Sequence, residues 1–282
     1  MSGSIRRGKL TTTLFTYLIL TTALIFFILP MLWIIYTSFR TQPSIFTGRI
    51  LPQAGELTLE NYRTILSVTD FPLFFLNSIK IALAVTIASL LCAIPGAYGL
   101  SRFDIPGKSG LITGIFSTQM FPQVLLIIPL YLIIFSFRLL DTVLGVVFGQ
   151  LILVLPFQVW MLTGYFNNIP RDIDDSARID GASIGQRLIY IVLPIAAPGI
   201  MVAAFFSFVV SWGDYLIISI INQSQRTATV TLVIQRLSSA LLIRWGQVAA
   251  AVVLTIVPTI LLFSLVQHRL VEGLTAGAVK GE

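Results

Sequence analysis

Ten residues of this chain concentrate most of what could make specific contacts: DDSARIDGAS, Asp174 to Ser183. Three aspartates, one arginine and five small residues sit there between long apolar runs. Elsewhere the chemistry-bearing residues are sparse. Gly107-Lys108-Ser109 matches the end of a phosphate-binding loop, but Arg102 stands where that motif needs its first glycine, and no apolar strand precedes it. No nucleotide site is expected there. His268 is the single histidine and Cys92 the single cysteine. Neither has a second ligand or a base beside it, so no metal site, disulfide or catalytic nucleophile is expected. What remains is a chain whose polar residues contact something without reacting with it.

The elements that carry them are set by composition. The chain has 282 residues, 56% hydrophobic and 11% charged. A soluble domain carries about 25% charged residues; a deficit this large implies an apolar solvent. The net charge of +6 is scattered, which argues against nucleic acid and for groups flanking membrane spans. Six stretches without Asp, Glu, Lys or Arg are long enough for a helix of about 20 residues to cross a bilayer. They are Leu10–Phe39, Ile81–Ser101, Leu111–Phe137, Thr142–Pro170, Leu188–Gly213 and Trp245–Gln267, the fifth expected to run on past Asp214 to about Ile220. The first is far longer than a signal-peptide core and reads as a signal anchor.

Six spans put both termini on one side. With the N-terminus inside, the inner segments hold ten lysines and arginines in the shorter total length, and the outer ones hold eight. Arg6, Arg7 and Lys9, just ahead of the first span, weigh most, so an N-inside orientation is expected. Residues 1–9 are then a cytoplasmic N-terminus, 10–267 a six-helix transmembrane domain with a cytoplasmic loop at 167–190, and 268–282 a cytoplasmic tail. The long outer segments, 40–76 and 221–244, offer a contact surface, and FPLFF at 71–75 is expected to lie along the membrane interface.

The polar island has helix signals of its own. Asn167 and Asn168 are candidate N-caps, Pro170 suits a first turn, and Asp172, Asp174 and Asp175 favour the positive end of a helix dipole. Asp174 and Arg178 are spaced to pair. Gly181 breaks the run, and a second short helix is expected from Ser183 into the membrane at Leu193-Pro194. Ile173 with Ala177, and Ile184 with Leu188, give each short helix a partial apolar stripe. Two readings stay open at this level: a loop packed on its own bundle, or a small-residue knob that seats in a groove of another protein.

The pattern DSARIDGAS followed by IVLP resembles the EAA motif of membrane subunits of binding-protein-dependent ABC importers. Asp175 stands at the motif Glu, Ser176 and Ala177 at Ala-Ala, Gly181 at the glycine, and Ile191, Leu193 and Pro194 at the downstream I-x-L-P. AYGLSRF (Ala97–Phe103), SWGDYL (Ser211–Leu216) and the tail GLTAGAVKG (Gly273–Gly281) are similar to the carbohydrate branch, in particular its maltose-type smaller permease. The resemblance spans roughly residues 75–282. Asp for Glu shortens the carboxylate arm, and Ser176 adds a hydroxyl, so an individual family contact does not transfer at those two positions.

The resemblance implies an all-α membrane protein, a type I ABC importer permease with six transmembrane helices in a bacterial inner membrane. It implies a heterodimer with a second permease, two cytoplasmic ATPase subunits below and an extracytoplasmic solute-binding protein above. The chain itself would hold no cofactor, ATP and Mg being bound by the ATPases. Coupling to them would run through Asp175, Ser176, Ala177, Asp180, Gly181, Ala182, Ser183 and Pro194, with tail contacts from Gly273, Leu274, Thr275 and Gly277. The solute would be a sugar, oligosaccharide or glycoside. From residue type alone, Asn77, Gln119, Gln123, Trp212 and Asp214 are candidates to line its path, with Gln150 and Gln158 as further polar groups. The alternatives are the same kind of importer for a non-sugar solute, or a secondary transporter, which would call for paired intramembrane ionisable groups or broken helices in an inverted repeat.

Overall fold

The computed structural model describes the backbone of residues 2–225, 227–239 and 242–278, and the side chains of 13–225, 227–239 and 242–268. Its regular elements are helices: α1 (Ser2–Ser38), α2 (Gln42–Ile45), α3 (Glu60–Ser67), α4 (Phe71–Arg102), α5 (Lys108–Ser117), α6 (Gln123–Ser136), α7 (Val143–Asn167), α8 (Arg171–Ile179), α9 (Ile184–Gln186), α10 (Leu193–Gly213), α11 (Leu216–Ile221), α12 (Val230–Ser238) and α13 (Trp245–Ala278). Among the described residues the sole extended pairing is an isolated bridge between Arg40 and Leu57.

Five helices are long and apolar enough to cross a membrane: Thr13–Ser38, Phe71–Arg102, Val143–Asn167, Ile184–Gly213 and Trp245–His268. Lys108–Met120 and Gln123–Ser136 are together long and apolar enough for a span but are bent by 100° at the break between them, as in a broken span or a re-entrant loop. The single unbroken span expected over Leu111–Phe137 is therefore corrected. Pro122 has no N–H to continue the helix, and it forces Phe121 into extended backbone (φ −73°, ψ 131°). Three further boundaries differ from expectation. FPLFF opens α4 instead of lying apart, because Phe71 and Phe74 are buried. The fifth span begins at Ile184 and stops at Gly213, where Asp214 turns to extended backbone (φ −69°, ψ 129°), and α11 starts afresh. Between α9 and α10, Arg187–Val192 winds as a π-helix. Its end is closed by the Leu193 N–H donating to the Leu188 carbonyl, and Pro194, which has no N–H to give the Tyr190 carbonyl, follows directly.

The chain divides into two units, Met1–Asp70 with Arg236–Leu254, and Phe71–Gln235 with Thr255–Glu282. In the first, Leu14, Phe15, Phe26, Phe27 and Leu32 of α1 are all exposed, as befits a span that meets lipid or another protein. Arg40 organises the loop after it. Buried, it donates to the Ser44 carbonyl, to the Arg49 carbonyl (3.0 Å) and to the Thr47 hydroxyl (3.2 Å), with Glu56 at 3.8 Å.

In the second unit α4, α7 and α10 pack together. Their contact is built of Ala93, Ala97, Leu162, Phe166, Val192, Ala196 and Ala203, all fully buried. Lipid tails are as apolar as leucine, so such packing gains from close contact of small residues more than from escaping water. Gly199 shows how close: a Cβ there would sit 2.6 Å from the Tyr165 ring. Buried polar groups are tied across the same seam, Ser89 Oγ to Ser207 Oγ at 2.9 Å and Gln158 Nε2 to the Ala203 carbonyl at 3.0 Å.

Candidate functional site: the Asp174–Pro194 turn

The helix α8 starts at a Pro170 N-cap with no side-chain cap bond, and Asp172 and Asp174 lie in its first turn. Asn167 and Asn168 close α7 instead of opening α8. The end of α8 is a Schellman closure: Gly181 N–H donates to the Arg178 carbonyl (3.1 Å) and Ala182 N–H to the Ala177 carbonyl (3.0 Å). Gly181 takes φ +82°, the left-handed region where a side chain is strained, with nothing within 4 Å of where a Cβ would stand. Directly after it, Ser183 opens α9 with a reciprocal capping box: Ser183 N–H donates to Gln186 Oε1 (2.8 Å) and Gln186 N–H to Ser183 Oγ (3.3 Å). Every bend of the turn is thus fixed locally.

The underside is bolted to the bundle. Asp174 is 4% exposed. It does not pair with Arg178, as its spacing suggested. Its Oδ1 accepts the Tyr98 hydroxyl at 2.8 Å, and its Oδ2 accepts Arg102 Nε at 2.5 Å. Arg102 also donates to the Ile169 carbonyl (3.1 Å), Arg171 to the Ser101 carbonyl (3.2 Å), and Ser101 Oγ to Asn167 Oδ1 (2.8 Å). The i, i+4 reading fails because Asp174 faces the foot of α4, where Tyr98 and Arg102 both reach its carboxylate and Arg102 is further held by the Ile169 carbonyl. Ala177 is buried on the same side, with Ile173 and Leu188 packed against the bundle core.

The opposite face is open. Asp175, Ser176, Asp180, Gly181 and Ser183 are exposed, Ala182 is half-buried, and Pro194 is exposed at the head of α10. Ile179 is 86% exposed and Ile184 51%. Ile179 is not among the contact residues that the sequence suggests. It falls off the Ile173–Ala177 stripe, which is the signal that would have placed it outward. Two bare isoleucines around a small-residue turn make an apolar contact surface on a rigid base. The side chains of Gly273, Leu274, Thr275 and Gly277 lie outside the described residues; their backbone continues α13.

The five polar and aromatic path candidates are placed differently from one another. Asn77 is buried and donates to the Gln225 and Ala228 carbonyls (3.2 and 3.1 Å). Trp212 is buried, stacked on Phe208, with its Nε1 donating to the Thr255 carbonyl at 3.1 Å. Asp214 accepts Gln150 Nε2 at 2.9 Å, and Gln150 accepts the Ser211 hydroxyl at 2.5 Å. Gln119 and Gln123 are exposed and flank the break in the third span. Gln119 lies within 3.5 Å of the Ile152 carbonyl and 3.4 Å of the Leu153 carbonyl, near the middle of α7.

At the far end of α7 a second polar clasp ties two loops. The Asp141 carboxylate accepts the Gln223 and Ser224 N–H groups (3.2 and 3.0 Å) and the Ser224 and Thr227 hydroxyls (2.5 and 3.0 Å). Burial alone would raise its pKa; the four hydrogen bonds outweigh it and hold the carboxyl below its ordinary range. Among the described residues no group of His, Cys, Asp and Glu is arranged to hold a metal.

Comparison with known proteins now gives this arrangement its class. Residues 107–275 match the family "Binding-protein-dependent transport system inner membrane component". The chain belongs to that family, and is a multi-pass permease component of a binding-protein-dependent ABC importer rather than an enzyme. It is 32% identical over 256 residues to the trehalose transport system permease protein SugB of Mycobacterium tuberculosis, covering 90% of this chain and 93% of that one. It is 34% identical over 256 residues to the trehalose/maltose transport system permease protein MalG of Thermococcus litoralis, covering 90% and 91%. Its fold matches a chain of a crystal structure described as a bacterial ABC transporter involved in the import of the acidic polysaccharide alginate, with a TM-score of 0.81 and 21% identity over 93% of this chain and 97% of that one.

Proposed function

We propose that this chain forms, with a second permease, the membrane path by which a sugar, oligosaccharide or glycoside handed over by a solute-binding protein enters the cell, and that the Asp174–Pro194 turn receives the stroke of two ATPase subunits. One observation carries the reading: a turn fixed at every bend and bolted through Asp174–Arg102 to the bundle presents Gly181, Ile179 and Ile184 bare on its outer side. A rigid knob transmits displacement of its docking partner to α4 and α10, which a frayed loop would absorb. The carbohydrate assignment is supported by relatives named for trehalose and maltose. The loop charges support placing both termini and the turn in the cytoplasm, with the tail residues Gly273, Leu274, Thr275 and Gly277 also directed to the ATPases; ATP and Mg would be bound there and not by this chain.

For the path itself, the break between α5 and α6 is the informative feature. Ile152 and Leu153 lie about 14 Å along α7 from its start at ~1.5 Å per residue, so a backbone irregularity beside them is near the bilayer centre. Irregular backbone at that depth does not face lipid; it lines water or is covered by protein. This favours Gln119 and Gln123 as path-lining, and Asn77, Trp212 and Asp214 as groups that hold the surrounding loops and helices. The test is uptake into proteoliposomes by the complex of this chain with its second permease, ATPases and binding protein. ATP-dependent sugar uptake that is lost without the binding protein is expected; uptake by this chain alone, driven by an ion gradient, refutes the reading.

A further inference from the structure

On the orientation proposed above, the inner rim of the bundle carries a basic cavity that shares Asp174, Asp175, Arg102 and Ile184 with the coupling turn but whose Arg171, Arg178 and Arg187 the coupling reading leaves unassigned. Its volume is about 520 Å³, and its walls include Arg102, Arg171, Arg178 and Arg187 against Asp174 and Asp175. Two positive charges are left over. Asp174 is spent on Tyr98 and Arg102, which removes it as a counter-ion for the rest. Among the described residues, the Arg178 and Arg187 side chains enter no ion pair or hydrogen bond, and Arg187 Nε is buried without a partner. A guanidinium nitrogen so placed carries the full penalty of desolvation until an acceptor reaches it.

The cavity sits where spans end. Arg102 is the last residue of α4, and Arg187 lies three residues into the fifth span. That is headgroup level for a helix crossing the bilayer. Its wall also includes Phe103 and Ile184, which are exposed apolar side chains, and Ile189 and Tyr190 are exposed one turn further toward the hydrocarbon. A ligand here needs an oxyanion for the arginines and a greasy continuation for those surfaces. Basic pockets between the ends of membrane helices take anionic lipid headgroups on the same logic.

We propose that the Arg171–Arg178–Arg187 cavity binds the phosphate of an anionic phospholipid, which neutralises Arg187 and braces the underside of the turn. A soluble phosphate shares the recognition chemistry but not the apolar continuation. The site depends on where the spans end and not on which solute is carried.

The test uses the permease pair, with and without its ATPases, in nanodiscs of phosphatidylcholine alone or mixed with phosphatidylglycerol. Lipid retained through delipidation is read by native mass spectrometry, and ATPase copurification is scored in the same samples. Wild-type protein should retain phosphatidylglycerol over phosphatidylcholine, and R178Q and R187Q should each weaken retention by about fivefold. Arg178 is exposed, so R178Q keeps the test meaningful should R187Q fold poorly. Equal retention in wild type and both variants overturns the proposal. So does inorganic phosphate that displaces phosphatidylglycerol at millimolar concentration, which would make the ligand a soluble oxyanion. So does loss of the lipid when the ATPases assemble, which would hand the cavity to an acidic partner surface. ATPases that fail to copurify in every lipid count against the docking reading alone.

Discussion

Replacing Gly181 separates a docking knob from a plain loop, because the local and intermolecular costs differ in size. Gly181 holds φ +82° with open space around a notional Cβ. Gly181→Ala therefore creates no clash. It costs about 1–2 kcal/mol of left-handed backbone strain, of which about 0.4–1 is returned by a less flexible unfolded chain. The net is about 1 kcal/mol, roughly a fivefold effect on closure of the turn. Gly181→Asn tolerates the left-handed region and should sit near wild type. Gly181→Asp is also tolerated by the fold, with a penalty of about 0.3–1 kcal/mol for a negative charge at the C-terminal end of α8. If the turn seats in a groove, however, that carboxylate is buried unpaired at a cost of about 3–5 kcal/mol, a loss of ATPase affinity of roughly 10²- to 5 × 10³-fold. The assay is titration of detergent-solubilised permease pair with its ATPases, beside uptake in vesicles and a check of membrane insertion. Expected is an order Gly ≈ Asn, then Ala within about fivefold, then Asp without assembly but normally inserted. An Asp variant that binds ATPase as Ala does, with uptake unchanged, refutes docking at this turn.

Two further outcomes follow from the same bonds. Arg102 and Asp174 are buried partners with 6% side-chain exposure each, so Arg102→Ala strands a charge and should cost about 3–5 kcal/mol in a thermal melt, while the apolar double replacement R102M/D174L should cost less than Arg102→Ala alone. Asp141 is held below its ordinary pKa, so its charged form stabilises the tie to Gln223, Ser224 and Thr227 above the ordinary aspartate value of about 3.9 and that contribution is lost as pH falls through the lowered value. Hydrogen exchange at Gln223 and Ser224 should accelerate only in that acid range in the wild type and be fast throughout in D141N; a wild-type tie that loosens near neutrality contradicts the assignment.

Helical class, the long apolar runs and the exposed turn were legible because each rests on short-range signals: runs without charge, and Gly181 breaking the polar run. What was not legible depends on partners far away in sequence. Spacing pairs Asp174 with Arg178 because a sequence displays local neighbours, whereas Arg102 lies 72 residues earlier. Trp212 and Asp214 are path candidates by residue type, whereas their bonds to Thr255 and Gln150, 43 and 64 residues away, are invisible in sequence. The break at Phe121-Pro122 hid in an unbroken apolar run, since hydropathy is blind to a missing N–H. Pro122 was its visible mark, yet Pro95, Pro156, Pro198 and Pro258 stand inside continuous helices, so proline alone did not discriminate.

Docking of the turn on the ATPase is tested most directly by proximity. A single cysteine at exposed Ser183, in a background where Cys92 is serine, should be joined to an ATPase subunit by a short bismaleimide in the assembled complex, and a cysteine at exposed Gln53 should not. An adduct from Ser183 that depends on the ATPases being present, and weakens in Gly181→Asp, is the predicted result. No adduct from Ser183, or one from Gln53 in equal yield, would contradict the account.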